Sequence, residues 1–464
     1  MKKIFSIMVG AAALIGACSC SEIHDGVTDI DSWPMPMPEI TYTLNHPCML
    51  HSASDIAYTK EHMTEEPWAG GYQNLLNSAY CTTSYTANPV EYLARLDAGN
   101  WGDGGGRWDD AGIRDLYYNG IHNNYTNFFR DCHAAYQLAL KWQLSGDAAS
   151  AATAVKILED WAAVNKGLLL GRAGRYKDQP VDPNEYLIMF QMHQCANAAE
   201  LLRGYNGWEN TESFKAVVGW MTENFYPFCS QFLQNNASSK HSWMNWDLAS
   251  MTSILSIGIL ADNQKMINEA IYYFKQGGGP GNINNEIGTV AVYKDPETGE
   301  ALAQGNESGR DQGHNTLCAA MLGTFCQMAY NIGEDLFAYN DYRAIAFAQY
   351  VAKYNLVKPE VGKEYDKNMV SPSQFRYPES SLPFTTYTYG DGGTMTQISA
   401  AGRGEIRPGW DLWAGYCVSH DIKGTYVKEM AEHFAPDAGG SAYGANSGGH
   451  DQLGFSTLMH HRVK

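Results

Sequence analysis

Phe128-Phe129-Arg130-Asp131-Cys132-His133-Ala134-Ala135-Tyr136-Gln137-Leu138-Ala139-Leu140-Lys141-Trp142-Gln143-Leu144 sets apolar side chains three and four residues apart, the period of a helix with a buried face. Ser145-Gly146-Asp147 stops that helix. Residues 148–164 start the next, with Val155, Leu158, Trp161 and Ala162 on one side. The same alternation of helix and short polar loop recurs over residues 186–203 and 214–232, then 249–260 and 265–274, then 316–331 and 342–354. Short connections between consecutive helices favour antiparallel neighbours, so the chain reads as a series of helical hairpins. The repeat is structural; no solenoid sequence motif accompanies it.

Three stretches interrupt the pattern. Asn100-Trp101-Gly102-Asp103-Gly104-Gly105-Gly106-Arg107-Trp108 is a glycine-rich aromatic loop, a candidate lid. Gln276-Gly277-Gly278-Gly279-Pro280-Gly281 leads into a strand-like piece at 288–293. Residues 358–410 are rich in proline, tyrosine and glycine. Loops carried on a rigid helical scaffold are where chemistry concentrates.

The ends and the composition narrow the class. Met1-Lys2-Lys3, an apolar run to Ala17 and then Cys18 form a secretory signal too short to span a bilayer. Ile15-Gly16-Ala17-Cys18 resembles a bacterial lipobox, which implies a signal peptide over 1–17 and acylation of Cys18. Residues 18–38 read as a flexible tether and 39–464 as one large catalytic domain, exported and periplasmic or anchored to the outer membrane. The net charge of −18 argues against nucleic acid and against a polyanion held by bulk charge. An anionic ligand must therefore meet a local cluster of donors. The remaining cysteines are scattered, without a Cys-x-x-Cys pair, and read as buried thiols with one or two bridges open.

That local cluster is Glu307-Ser308-Gly309-Arg310-Asp311-Gln312-Gly313-His314, set directly before an apolar helical run. Polar groups this dense at the mouth of a buried helix are costly unless partnered. They form either a lined site for a polar, anionic ligand or a buried ion-pair network fixing a helix start.

Residues 139–147 and 198–203, Ser242-Trp243-Met244-Asn245-Trp246, Glu307 to His314, Arg407-Pro408-Gly409-Trp410 and residues 451–458 together resemble the alginate lyase superfamily of helical-toroid polysaccharide lyases. The family-38 polysaccharide lyases of gut Bacteroidetes are the branch most similar. The resemblance implies an all-α-dominated fold, an incomplete (α/α) toroid of helical hairpins with long irregular loops and few short strands. It also implies β-eliminative cleavage of a 1,4-linked polyuronate, alginate (polymannuronate) or glucuronan. Family-five alginate lyases carry Asn-Asn-His-Ser-Tyr-Trp where this chain has Ser239-Lys240-His241-Ser242-Trp243, so the histidine is kept and its asparagine neighbour is not. Asn245 is then the candidate amide. Those enzymes also place a tyrosine shortly after the arginine, where this chain has Asn315-Thr316.

Elimination at a uronate needs the carboxylate neutralised, a base at C5 and an acid at O4. Arg310 suits the carboxylate through its planar donor fork. Asn245 adds an amide, His241 and His314 are candidate bases, and Tyr416 is a candidate acid. Trp243, Trp246, Glu307, Gln312, Arg403, Arg407 and Trp410 are candidate substrate contacts. Neither a metal nor another cofactor is expected, since no ligand spacing supports one. Two rival readings stand: a glycoside hydrolase on the same scaffold, drawing on Asp109, Asp110, Glu307 or Asp311, and a non-catalytic glycan-binding lipoprotein.

Overall fold

The computed structural model describes residues 37–93, 124–168, 187–239, 242–286, 288–389, 393–443 and 450–464. The signal peptide, Cys18, nearly all of the tether, the loop 100–108, Asp109, Asp110 and His241 lie outside them.

After two short helices, α1 (Ala53–His62) and α2 (Trp68–Leu76), the hairpin series runs α3 (Tyr125–Ser145), α4 (Ala148–Val164), α5 (Met192–Leu202), α6 (Glu212–Asn224), α7 (Tyr226–Ser239), α8 (Met244–Leu260) and α9 (Gln264–Gln276). Strands β1 (Thr289–Lys294) and β2 (Ala301–Gly305) follow as an antiparallel pair. Then come α10 (Gln312–Asn331), α11 (Tyr339–Asn355), the two-residue strands β3 (Tyr387–Thr388) and β4 (Thr394–Met395), α12 (Trp410–Ser419), α13 (Thr425–Phe434) and α14 (Ser456–His460).

Side-chain pattern sorts these helices into two rings. Every residue of α5 is buried, and every residue of α8 except Trp246. A helix that is covered all round belongs inside. By contrast α4 buries the stripe Ala151, Ala154, Ile157, Leu158 and Trp161, and α13 the stripe Tyr426, Val427, Met430, Ala431 and Phe434. These amphipathic helices form the outer layer. Each fully buried Leu or Ile contributes about 1.5–3 kcal/mol, which drives the pairing of inner with outer helices. Inner neighbours succeed one another as α3, α5, α8, α10 and α12, and the circuit returns through α14, α1 and α2 to α3. The architecture is an α/α toroid.

Alternation gives the inner helices one direction. The ends of α3 and α5 meet where Gln143 donates to Leu201 O (2.5 Å), and those of α5 and α8 where Arg203 donates to Leu260 O (2.5 Å). Tyr330 near the end of α10 packs on Tyr416 near the end of α12 (5.6 Å between rings). At the opposite rim Asn245 at the start of α8 reaches Glu307, and Arg407 before α12 donates to Gly313 O (3.2 Å) in the first turn of α10. One rim thus gathers the N-termini of the inner helices.

The helix expected over 214–232 is two. Phe225 leaves helical geometry (φ −121°, ψ −42°) just ahead of Pro227, whose ring removes a donor and crowds the preceding turn. The helix expected from 342 follows directly on a left-handed turn, Asn340, Asp341 and Tyr342, which opens the segment Tyr339–Asn355. The partner strand of 289–294 was not foreseen. No described helix is long and apolar enough to cross a membrane.

Candidate functional site

Strand β2 delivers the chain into a tight turn, in which Ser308 N–H bonds to Gly305 O and Arg310 N–H to Glu307 O (3.2 and 2.9 Å). Gly309 is required there by close approach, because a Cβ would lie 2.6 Å from the Cβ of Met395. Asp311 then caps α10, accepting from the His314 N–H (2.8 Å). The apolar helix that follows fixes the axis, and the capping residue fixes where the side chains of its first turn stand.

The exposed layer of this turn consists of Trp243, Arg310, Asp311 and His314. The Arg310 guanidinium lies over the Trp243 ring (4.9 Å) with its Nε 3.7 Å from Asp311 Oδ2. Asp311 Oδ2 is 2.7 Å from His314 Nδ1. A carboxylate so placed accepts a hydrogen bond from Nδ1–H, which keeps the ring proton on Nδ1 and the lone pair on Nε2. Burial pushes the Asp311 carboxyl up, but the bonds and charge of His314 and the charge of Arg310 outweigh it, so the carboxyl lies below its usual range. His314 and Arg310 keep 37% and 28% of their side-chain surface exposed, enough to meet a ligand without leaving their partners.

Beneath them lies a buried layer. Glu307 is fully buried; its Oε1 accepts from Asn245 Nδ2 (2.5 Å) and N–H (3.3 Å), and its Oε2 from Arg310 (3.3 Å). Gln312 donates to Ser308 O and Ser399 O (3.3 and 3.0 Å) and accepts from Asn315 and Asn355. Two tyrosines that sequence reasoning missed flank the site, Tyr387 on the turn and Tyr389 on the segment before α8. The Tyr387 hydroxyl donates to Asn306 O and accepts from Gly309 N–H (3.1 Å), and Tyr389 donates to Ser242 O. Burial pushes the Tyr387 phenol up to about 12, so it stays protonated. Their signal was the alternation Thr386-Tyr387-Thr388-Tyr389, which sends both rings to one side of a strand.

The structure redistributes the other sequence candidates. Tyr416 stands at the opposite rim, donating to Asp335 (2.8 Å) and stacked on Phe337. The length of α10 separates it from His314, roughly 24 Å at 1.5 Å per residue. Tyr416 therefore cannot serve the same reaction centre as Arg310. Arg403 is buried, with Nε on Tyr354 O (2.8 Å), a terminal nitrogen on Tyr377 O (2.7 Å) and its plane between two aromatic rings. Its guanidinium ties the end of α11 to the irregular segment after it, with the second terminal nitrogen 3.6 Å from Glu379. Arg407 is likewise buried, between Gly313 O and Asp451 (3.6 Å). Trp410 is core, and Trp246 lies half-buried near Phe232. Glu307 and Gln312 are buried and support the site from below. Asn245 is buried with them.

Among the described residues, one set brings potential ligand atoms close enough for a metal: His46, Cys48 and Glu200. It sits by the C-terminal ends of α5 and α8, away from the site. Both ring nitrogens of His46 are held by carboxylates, Glu200 (2.6 Å) and Asp262 (2.9 Å). Burial pulls its pKa down, but the bonds to Cys48, Glu200 and Asp262 hold it up at about 10. The set is a charged clasp on the N-terminal segment.

Comparison with known proteins completes the description. The alginate lyase family model matches residues 117–361, more than half of the chain. No curated protein matches it. Among solved structures it is similar to alginate lyase A1-III from Sphingomonas species A1, at 14% identity over 92% of this chain and 99% of that one, TM-score 0.50. Alginate lyase A1-III complexed with tetrasaccharide matches at 12% identity over 92% and 99%, TM-score 0.51. An alginate lyase from Bacteroides ovatus matches at 14% identity over 90% and 100%, TM-score 0.51. At these identities the structural matches speak to the toroid fold.

Proposed function

Since this chain belongs to the alginate lyase family, and is therefore a polysaccharide lyase, we propose that it cleaves a 1,4-linked polyuronate, polymannuronate-rich alginate or glucuronan, at the rim where the inner helices begin. Arg310 takes the carboxylate of the uronate whose C5 proton is lost. Its guanidinium offers donors beyond those spent on Glu307 and Asp311, and charge neutralisation is what makes the C5 proton removable. His314 is the base: with Nδ1 bonded to Asp311, its Nε2 accepts the proton. The electron pair released from the C5–H bond forms the C4=C5 double bond as the C4–O4 bond breaks, and the departing O4 takes up a proton from water or from the imidazolium just formed on His314. The Trp243 ring underlies Arg310 and forms the floor beside it. His241, outside the described residues, adjoins Ser242 and remains the second candidate base. The lipobox at Cys18 supports an exported lipoprotein, periplasmic or anchored at the outer membrane.

The observation that carries this reading is the half-exposed Arg310 beside a histidine whose tautomer a carboxylate sets. It is tested by ultraviolet absorbance of the unsaturated uronate product on polymannuronate, polyguluronate and glucuronan, with Arg310→Ala as control. A rise on one polymer, abolished in the control, is the expected result. Reducing ends without absorbance would overturn elimination in favour of hydrolysis. Full activity in the control would overturn the role of Arg310.

A further inference from the structure

Glu307 is a buried carboxylate that touches no solvent, yet it bonds both the buried Asn245 and the partly exposed Arg310. Both of its oxygens are committed. Oε1 receives two donors from Asn245, which is itself buried in the first turn of α8. Oε2 receives the Arg310 guanidinium. An arginine lying on a tryptophan face and flanked by Asp311 has a competing partner 3.7 Å away, so without Glu307 it swings toward Asp311. Asp311 would then be drawn from His314, whose tautomer it holds.

We propose that Glu307 is a positioning residue for the reaction, with Asn245 as its anchor. Asn245 fixes the carboxylate, and the carboxylate fixes the guanidinium at the place where the substrate carboxylate binds. This inference rests on the role given to Arg310 above. It also moves Asn245 from contact with the uronate to support of the group that contacts it. Sequence spacing hides the link, because Asn245 and Glu307 are 62 residues apart. The energetic logic is that of preorganisation: a misplacement of about 1 Å costs on the order of 10²-fold in rate.

The test is Glu307→Gln in the full chain. Gln keeps an acceptor oxygen, and the two Asn245 donors claim it, which leaves the amide nitrogen facing Arg310. The α8 to α10 tie survives while the guanidinium loses its acceptor. The expected result is a folded protein whose kcat is lower by about 10²-fold. The deciding measurement repeats the substitution in an Arg310→Lys background of low residual activity. If Glu307 acts through Arg310, the two losses do not multiply, and Glu307→Gln costs less than about threefold there. A full, multiplying loss in that background, or unchanged kcat in the single variant, overturns the proposal. Asn245→Ala serves as the second route should Glu307→Gln fail to fold: the same non-multiplying loss is expected, and a multiplying one refutes it. Should Arg310→Lys itself leave activity intact, the reading of Arg310 falls first, and the two failures are distinguished.

Discussion

Asp247 lies one turn into α8, wholly buried, beneath the segment that carries Trp243 and Asn245. Its carboxylate accepts from Asn236 (2.6 Å), Tyr273 (3.0 Å) and Gly281 N–H (2.8 Å). Burial pushes its pKa up to about 7, against the pull of those three bonds. In the unfolded chain the group titrates near ~3.9. Between these values the folded protein holds a proton that the unfolded chain has released, so stability falls as pH rises. The contribution is complete below the unfolded value and gone above the folded one. At about 1.36 kcal/mol per unit, the loss between roughly pH 4.5 and pH 7.5 is about 3 kcal/mol. Asp247→Asn keeps the shape and cannot titrate. Urea unfolding of parent and variant at those two pH values should show the parent losing about 3 kcal/mol more than the variant, all other titrations being common to both. Unfolding free energies that run parallel across the interval would refute the reasoning. The consequence reaches the site, because Asn236 also binds the Ser242 N–H (2.8 Å) and carbonyl (3.2 Å).

Asp311→Asn retains a good helix cap, since Asn caps as well as Asp, but loses the anionic acceptor on His314 Nδ1. A kcat lower by about 10²-fold or more, with an almost unmoved melting temperature, is expected from kinetics and a thermal melt. Tyr416→Phe loses one hydrogen bond to Asp335, about 1 kcal/mol of stability, and leaves kcat at the parent value; a folded variant without activity would return that phenol to the reaction.

The helical series was legible because burial on one face writes a three-to-four residue period into the sequence, as in α3 and α4. Inner and outer helices also differ visibly, α8 carrying apolar residues on all sides and α13 on one. The turn 307–314 was legible because its polar residues are contiguous. What failed depended on distance in space. Arg403 and Arg407 sit in an irregular stretch, and nothing local says that their donors go to the carbonyls of Tyr354, Tyr377 and Gly313. Tyr416 lies a few residues after Trp410 in sequence, yet most of a helix length away from that rim. Glu307 was expected as a substrate contact, with a buried ion-pair network as the alternative; the structure has the buried network, because Asn245, far away in sequence, supplies donors beside Arg310.

Three helices of the outer layer cap their N-termini locally, whereas α13 takes Glu300 and Gln349 from afar. Asp147 caps α4, Thr211 caps α6 and Asn263 caps α9, each from the residue just before the helix. At the inner rim two starts are capped from afar: the α8 N–H of Asn245 bonds to Glu307, and the α12 N–H of Asp411 to Ser456 (3.3 Å), itself tied to Asp437. A cap satisfies an orphan donor whether it comes from the next residue or from another helix. A distant cap also fixes the two elements relative to each other. The carboxylate that finishes α8 through one oxygen thus holds Arg310 through the other, so packing α8 against the turn before α10 also places the guanidinium. It also explains how a chain of net charge −18 can present a cation to a polyanion. Glu307 and Asp311 are absorbed by helix N-termini, Asn245 and His314, while the half-exposed face of Arg310 is left to the ligand.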